Sequence, residues 1–194
     1  LRPLGQLDLL DSVSSKALHY LGAPQGKEVG RVALTQRAQA LQVIGEVRRA
    51  HGDPGGAAEA LASANTILLQ LRAQAPADTE VLKNLGVNAY WLGQLSKDRG
   101  DLRNAGAAWQ MYRQFSDELN RLEPDKVAWW VEQSYAHNNL GSLAVARDDP
   151  ATAAQEFLRS IALKRRALQK TPESPMLLAE LADSYSWLGS AQET

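Results

Sequence analysis

An apolar residue followed by glycine recurs in this chain every 48 residues. The four pairs are Ile44-Gly45, Leu92-Gly93, Leu140-Gly141 and Leu188-Gly189. A fixed internal period of this length is typical of solenoid proteins, in which each repeat packs mainly against its neighbours. This recurrence therefore constrains the fold more than any other feature of the sequence.

Turn-forming residues follow the same period. Aspartates lie at Asp53, Asp101 and Asp149, and prolines lie at Pro76, Pro124 and Pro172. Aspartate is favoured at a helix N-cap, and proline ends a helix. The segments between these positions are rich in Ala, Leu, Gln, Arg and Glu, which favours helix. The pattern predicts three helical hairpins and half of a fourth.

The predicted fold class is all-α, an α-α superhelix with an N-terminal capping helix. We expect residues 1–26 to form a lead and the capping helix, and residues 27–194 to form the repeat array. The predicted repeats are 27–77, 78–124, 125–172 and the half-repeat 173–194.

Core positions also align between repeats. Ala57, Ala105 and Ala153 coincide, and four residues later stand Leu61, Trp109 and Phe157. Glycine inside a helix costs about 1 kcal/mol relative to alanine. We therefore interpret Gly45 as a point of close approach by a neighbouring helix.

The order of these residues resembles the tetratricopeptide repeat. The shared positions in one repeat are Leu92-Gly93, the small Ala105, the large Trp109 and the terminal Pro124. The resemblance implies a right-handed superhelix of hairpins, whose first helices line a groove for a peptide or a partner helix.

The chain departs from that family in two respects. Arg48, Ser96 and Ala144 stand where the family has a tyrosine after the glycine. The period also exceeds the family's period of about 34 residues. The spacing places the excess equally in the two helices, about seven residues each, which keeps the buried face in phase to within about 20°. We expect helices of roughly 20 to 23 residues.

The N-terminal lead carries a second resemblance. It begins LRPLGQLDLLDSV and continues KALHY from Lys16 to Tyr20. It is similar to the segment after a transmembrane helix in some bacterial multidomain signalling proteins, where a kinase, cyclase, TIR or DNA-binding effector is attached. The resemblance implies a sensory or interaction module, so we expect a segment of a larger protein. Whether that segment is extracytoplasmic or cytoplasmic stays open.

Composition excludes several kinds of partner. Lys and Arg number 21 against 22 Asp and Glu, so no net field draws the chain to nucleic acid or to an anionic membrane. The chain has no Cys, which excludes disulfides and thiolate metal sites. No apolar run approaches the roughly 18 residues of a membrane span.

The sequence carries no recognisable catalytic motif. It has no Gly-rich phosphate loop and no Gly-x-Ser-x-Gly elbow. His19, His51 and His137 lack metal-ligand spacing; we expect His51 to be solvated and His137 to be partly packed. We interpret the run Lys164-Arg165-Arg166 as a solvated helix face. We therefore expect no enzyme activity, no cofactor and no metal.

Groove positions can be carried over from the tetratricopeptide family by their spacing from the repeated glycine. They are Gln39, Gln42, Glu46, Arg49, Val87, Tyr90, Gln94, Lys97, Tyr135, Asn138, Ser142, Val145, Asp183, Ser186 and Ser190. Such a polar surface suits a peptide held by hydrogen bonds and stacking. It lacks the dense Lys and Arg cluster that an acidic peptide would need.

The expected function is non-catalytic binding of a protein or peptide. Two alternatives remain: a structural spacer or oligomerisation segment that positions an attached effector, and a small-ligand sensor that uses the same groove. A groove without a specific ligand is also compatible with the pattern.

The last helix has an apolar face that no second helix in this sequence would cover. Its apolar residues are Met176, Leu177, Leu178, Leu181 and Leu188. A terminal repeat normally needs a polar cap, and an exposed apolar face marks an interface. We expect either further repeats or association of two copies through this helix.

Overall fold

The computed structural model of the protein describes residues 30–192, which contain seven α-helices and no strand. The helices are α1 Arg31–Ala50, α2 Pro54–Gln74, α3 Thr79–Asp98, α4 Leu102–Leu122, α5 Val127–Ala146, α6 Pro150–Lys170 and α7 Pro175–Gln192. The predicted all-α repeat class is confirmed. The predicted lead and capping helix in residues 1–26 lie outside the described residues.

Helix length follows the repeat. The first helices α1, α3 and α5 have 20 residues each, and the second helices α2, α4 and α6 have 21. Connections of three or four residues join them. These lengths agree with the expectation of unusually long hairpin helices.

Aspartate caps begin the second helices as the pattern predicts. The carboxylates of Asp53, Asp101 and Asp149 each accept a hydrogen bond from the backbone amide three residues later, at 2.9 to 3.0 Å. From the same preference of aspartate for helix starts, the sequence also predicts that Asp125 begins a helix, but that start lies one residue later. Lys126 occupies the N-cap of α5 and makes no side-chain cap bond.

In the turns after α1, α3 and α5, the residue at one equivalent position of the repeat has a left-handed backbone conformation. Gly52 has φ 77°, Gly100 has φ 73° and Asp148 has φ 57°. Glycine adopts this conformation without steric cost, and aspartate tolerates it better than most other residues. The two aspartates Asp148 and Asp149 therefore have different roles: Asp148 adopts the left-handed turn conformation, and Asp149 caps α6.

The described helices form two compact units. Unit 1 contains α1 to α3 and ends at Asp98, and unit 2 contains α4 to α7 and begins at Arg99. In unit 1, Arg31 pairs with Asp78 at the starts of α1 and α3, and Arg49 pairs with Asp98 at their ends. The two first helices therefore run parallel, while α2 runs antiparallel to α1.

Two of the repeated glycines, Gly45 and Gly141, mark close helix contacts, as we interpreted Gly45. A Cβ added at Gly45 would lie 2.7 Å from Cγ of Leu61 in α2. A Cβ at Gly141 would lie 2.6 Å from Cε1 of Phe157 in α6. Leu61 and Phe157 are 0% and 1% exposed, so these large residues of α2 and α6 fill the space that the two glycines leave.

The same contact predicts opposite effects of alanine at two equivalent glycines. We expect Gly45→Ala to reduce the free energy of unfolding by about 1 to 2 kcal/mol. Overpacking a dense core costs about 1 to 3 kcal/mol, and alanine recovers up to about 1 kcal/mol in helix propensity. Gly189 has no atom within 4 Å of an added Cβ. Gly189→Ala should therefore stabilise the chain, and urea unfolding of both variants measures the difference. Equal effects at both positions would contradict the packing account.

Candidate functional site

The candidate groove positions of unit 1 lie along the parallel helices α1 and α3. Gln39 and Glu46 are half-buried on α1. Gln42 is only 4% exposed, and its side-chain amide donates to the backbone carbonyl oxygen of Asn84 at 2.7 Å. Gln42 therefore joins the two helices, and its amide nitrogen is occupied by that contact.

An aromatic pair lies close to the C-terminal half of α1. The guanidinium of Arg49 lies 5.4 Å from the centroid of the Trp91 ring and also pairs with Asp98. Tyr90 packs edge-to-face against Trp91, with ring centroids 4.8 Å apart. These contacts fix Arg49 and the two rings, and each of the three side chains remains partly exposed.

Val87, Gln94 and Lys97 are half-buried on α3. We call the partly exposed polar set the unit 1 face; its residues are Gln39, Glu46, Tyr90, Gln94 and Lys97. This face combines amides, one carboxylate, one ammonium group and one phenol on two adjacent helices. It can therefore donate and accept hydrogen bonds and carries no concentration of one charge.

Two candidate positions of unit 2, Tyr135 and Asn138, are hydrogen-bonded from α5 to the next first helix, α7. The Tyr135 hydroxyl of α5 donates to Glu180 of α7 at 2.6 Å. The Asn138 amide donates to the Ser184 hydroxyl oxygen at 3.2 Å. Ser142 is half-buried. The remaining candidates are exposed, namely Val145, Asp183, Ser186 and Ser190.

A buried lysine completes this set. Lys164 of α6 is 1% exposed, and its ammonium group donates to the Glu180 carbonyl oxygen at 3.1 Å and to the Ser184 hydroxyl oxygen at 2.9 Å. It also lies 5.6 Å from the centroid of the Tyr135 ring. We call Tyr135, Asn138, Lys164, Glu180 and Ser184 the Lys164 cluster. It connects α5, α6 and α7 within unit 2.

Burial shifts the pKa values of two members of the cluster in opposite directions. Desolvation lowers the pKa of Lys164, and the carboxylates of Glu180 and Asp183 partly oppose that shift. Burial, followed by the hydrogen bond to Glu180, raises the pKa of the Tyr135 hydroxyl well above its usual range. Both shifts favour the neutral form of the group.

The Lys164 cluster corrects one expectation from the sequence. Arg165 and Arg166 are exposed as predicted for a solvated face, but Lys164 is not. The repeat alignment contains the signal that was missed, because Lys164 aligns with Leu68 and Ser116, and these are 0% and 1% exposed. A lysine at a repeated core position therefore indicates a buried amine with internal partners.

A second buried polar pair joins α5 to α6. Nδ1 of His137 lies 2.6 Å from a carboxylate oxygen of Glu156, and both residues are 7% exposed. Glu156 also accepts a hydrogen bond from Arg159 at 2.6 Å. His137 is thus more deeply packed than the sequence predicts, while His51 is exposed as expected. The third histidine, His19, lies outside the described residues.

The described residues contain neither a membrane-spanning helix nor a cluster of metal-binding side chains. No helix between residues 30 and 192 is both long and apolar enough to span a membrane. Within the same range, no three His, Cys, Asp or Glu side chains are grouped so that they could hold a metal ion.

Comparison with known proteins finds similarity among solved structures alone. No protein-family model and no curated protein matches the chain. A crystal structure of the de novo designed helical repeat protein DHR64 is 16% identical, with 98% of this chain and 94% of that chain covered and a TM-score of 0.39. The described helices and the 48-residue period, and not these comparisons, make the chain an all-α helical repeat.

Two filament structures are also similar. The DHF58 filament is 13% identical over 97% of this chain and 95% of that chain, with a TM-score of 0.37. The DHF79 filament is 16% identical over 98% of each chain, with a TM-score of 0.35.

The buried lysine predicts a pH-dependent stability. Because the pKa of Lys164 is lowered on folding, the unfolded chain binds more protons in the range just below the ordinary lysine pKa of about 10.4. The contribution of Lys164 to the free energy of unfolding should therefore rise with pH across that range, while Tyr135, whose pKa is raised on folding, contributes the opposite slope from about pH 10 upward. Lys164→Met should flatten the rise, because methionine fills the site without a titratable group.

Lys170→Met is the matched control, because Lys170 is an exposed lysine of the same helix. Urea unfolding of the three proteins across this pH range measures the slope. An unchanged slope in Lys164→Met would show that Lys164 is not responsible for it.

Proposed function

We propose that the chain is a non-catalytic interaction module that binds a protein or peptide segment along its first helices. One observation carries the proposal: α1 and α3 run parallel, and the unit 1 face leaves hydrogen-bonding groups of both helices partly exposed. Groups on two parallel helices can contact one extended segment at several points along its length.

The chemistry of the unit 1 face defines the kind of ligand we propose. The amides of Gln39 and Gln94 can each donate to and accept from a peptide backbone. Tyr90 offers an aromatic ring and a hydroxyl. Glu46 and Lys97 carry opposite charges, so the face favours a segment of mixed polarity over a strongly acidic one.

Internal contacts support this assignment because they hold the helices in place before a ligand arrives. The Gln42 amide joins α1 to α3, and Arg49 pairs with Asp98 at the ends of the same helices. A face that is already ordered loses less conformational entropy on binding. We therefore assign these residues a supporting role and the unit 1 face the contacting role.

We also propose that the repeat is tetratricopeptide-like and belongs to a bacterial signalling protein with a separate effector. The repeated positions around Leu92-Gly93, Ala105 and Trp109 support the first part. The similarity of the N-terminal lead to segments of such signalling proteins supports the second part.

A display experiment tests the binding proposal. Peptides selected from a random library on the 194-residue chain should lose about five- to 150-fold in affinity for the double variant Gln39→Ala with Gln94→Ala. Each hydrogen bond contributes about 0.5 to 1.5 kcal/mol, and about 1.4 kcal/mol corresponds to tenfold. Titration calorimetry measures the change.

The matched control removes two exposed glutamines of α2, Gln70→Ala with Gln74→Ala, and should leave affinity unchanged. Thermal melts should be similar for the two double variants. Equal loss of affinity in both, or a library that yields no binder, would reject the proposal.

A further inference from the structure

Trp187 presents an exposed aromatic ring on α7. The ring stacks on Phe157 of α6, with ring centroids 6.4 Å apart and an interplanar angle of 24°. Because Phe157 is 1% exposed, this stack holds the Trp187 ring against the core of unit 2. Trp187 nevertheless remains 51% exposed. The ring is therefore held in position and is still accessible to a ligand.

The equivalent ring in unit 1 has an arginine beside it. Trp91 lies 96 residues before Trp187, which is two periods of the repeat. The guanidinium of Arg49 lies 5.4 Å from the centroid of the Trp91 ring and pairs with the carboxylate of Asp98. In α5 the residue that corresponds to Arg49 is Val145, which is 45% exposed. Unit 2 therefore repeats the ring and replaces the arginine at that position by an aliphatic side chain.

The exposure of Trp187 does not depend on where the sequence ends. Trp91 packs against the cluster that contains Leu61 of the preceding helix α2, and Trp187 likewise contacts Phe157 of the preceding helix α6. In the two hairpins with a glycine contact, the second helix packs on the glycine side of the first. Gly189 lies about 160° around α7 from Trp187, at 3.6 residues per turn. A helix packed on that glycine would therefore leave the Trp187 side of α7 open.

The charges around the ring favour a cationic ligand. Asp183 is exposed and lies four residues before Trp187, so the two side chains are neighbours on one face of α7. The helix contains Glu180 and Asp183 and no basic residue. The nearby ammonium group of Lys164 is buried and donates to α7, and both carboxylates act on it electrostatically. Two carboxylates and one ammonium group leave this part of unit 2 with a net negative charge.

Other exposed apolar side chains do not repeat this arrangement. In the second helices, Leu69, Met111 and Leu158 are 46%, 45% and 51% exposed, but they are not aromatic and share no position of the repeat. On α7, Leu177 and Leu188 are buried, so the open apolar face expected there is narrower than the sequence indicates. The α7 ring differs from these aliphatic residues because it is held in position beside a carboxylate.

We propose that Trp187 and Asp183 form a binding site for an arginine side chain of a peptide segment. The guanidinium stacks on the Trp187 ring and donates hydrogen bonds to the Asp183 carboxylate. Arginine suits both contacts, because its planar group stacks on aromatic rings and presents its donors in a fixed geometry that matches a carboxylate. The site lies within unit 2 and uses no residue of the unit 1 face.

Two matched peptide libraries test the site on the 194-residue chain. One library has arginine at its central position and the other has glutamine, with random residues on both sides. The arginine library should yield more binders. Replacing the central arginine of a selected peptide by glutamine should weaken binding to the wild type by about three- to thirtyfold, because a cation–π contact and an exposed ion pair are lost together. Titration calorimetry measures the change.

Variants of the chain show whether these two residues cause the arginine effect. In Trp187→Leu the effect should be about two- to fivefold smaller, since the cation–π contact is missing. In the double variant Trp187→Leu with Asp183→Asn it should disappear. Tyr185→Leu is the matched control, because Tyr185 is 47% exposed on another side of the same helix. It should keep the full arginine effect. A general loss of folding would instead weaken the arginine and glutamine peptides equally.

Three results would overturn the proposal: an arginine library that yields no more binders than the glutamine library, an arginine effect that persists in the double variant, or an equal reduction of that effect in Tyr185→Leu. The variant Gln39→Ala with Gln94→Ala should keep the arginine effect, because the unit 1 face does not contribute to it. The arginine site and the unit 1 face can therefore fail independently.

Discussion

The contact of a large apolar side chain with a helix glycine is the interaction on which the α1–α2 and α5–α6 hairpins depend. Leu61 lies against Gly45 in unit 1, and Phe157 lies against Gly141 in unit 2. Glycine weakens a helix by up to about 1 kcal/mol, so the contact must return more than that through dispersion and burial. Its position near one end of each hairpin fixes which helix faces meet, and thereby which faces remain exposed.

Much of the fold follows from the sequence because the same local solution occurs several times. The aspartate caps at Asp53, Asp101 and Asp149 and the helix ends before Pro76, Pro124 and Pro172 are each specified by neighbouring residues. The glycine period then sets the register between helices. The predicted helix start is wrong at α5, where Lys126 and not Asp125 occupies the N-cap.

Polar groups in the core could not be predicted in the same way. The burial of Lys164, and of His137 with Glu156, depends on hydrogen-bond partners that lie on another helix, 16 to 20 residues away in the sequence. From residue type alone, charged residues are expected at the surface. Their burial is indicated in the sequence only by alignment with buried positions such as Leu68. The candidate groove has a related limit, since spacing located Gln42 and Tyr135 correctly on the first helices but could not show that both are bonded to a neighbouring first helix.

The faces that pack at the glycine contacts and the faces that stay exposed differ in chemistry. Gly45 and Gly141 are buried against the second helix of their hairpins, and the unit 1 face is polar and partly exposed. On α7, Leu178 and Tyr185 are 50% and 47% exposed. The most direct test is the effect of Gly141→Ala on the free energy of unfolding in the wild type and in a Phe157→Val background. We predict destabilisation in the wild type and a neutral or stabilising effect in Phe157→Val, which lacks the ring atoms that the new Cβ would meet. Equal destabilisation in both backgrounds would contradict the account.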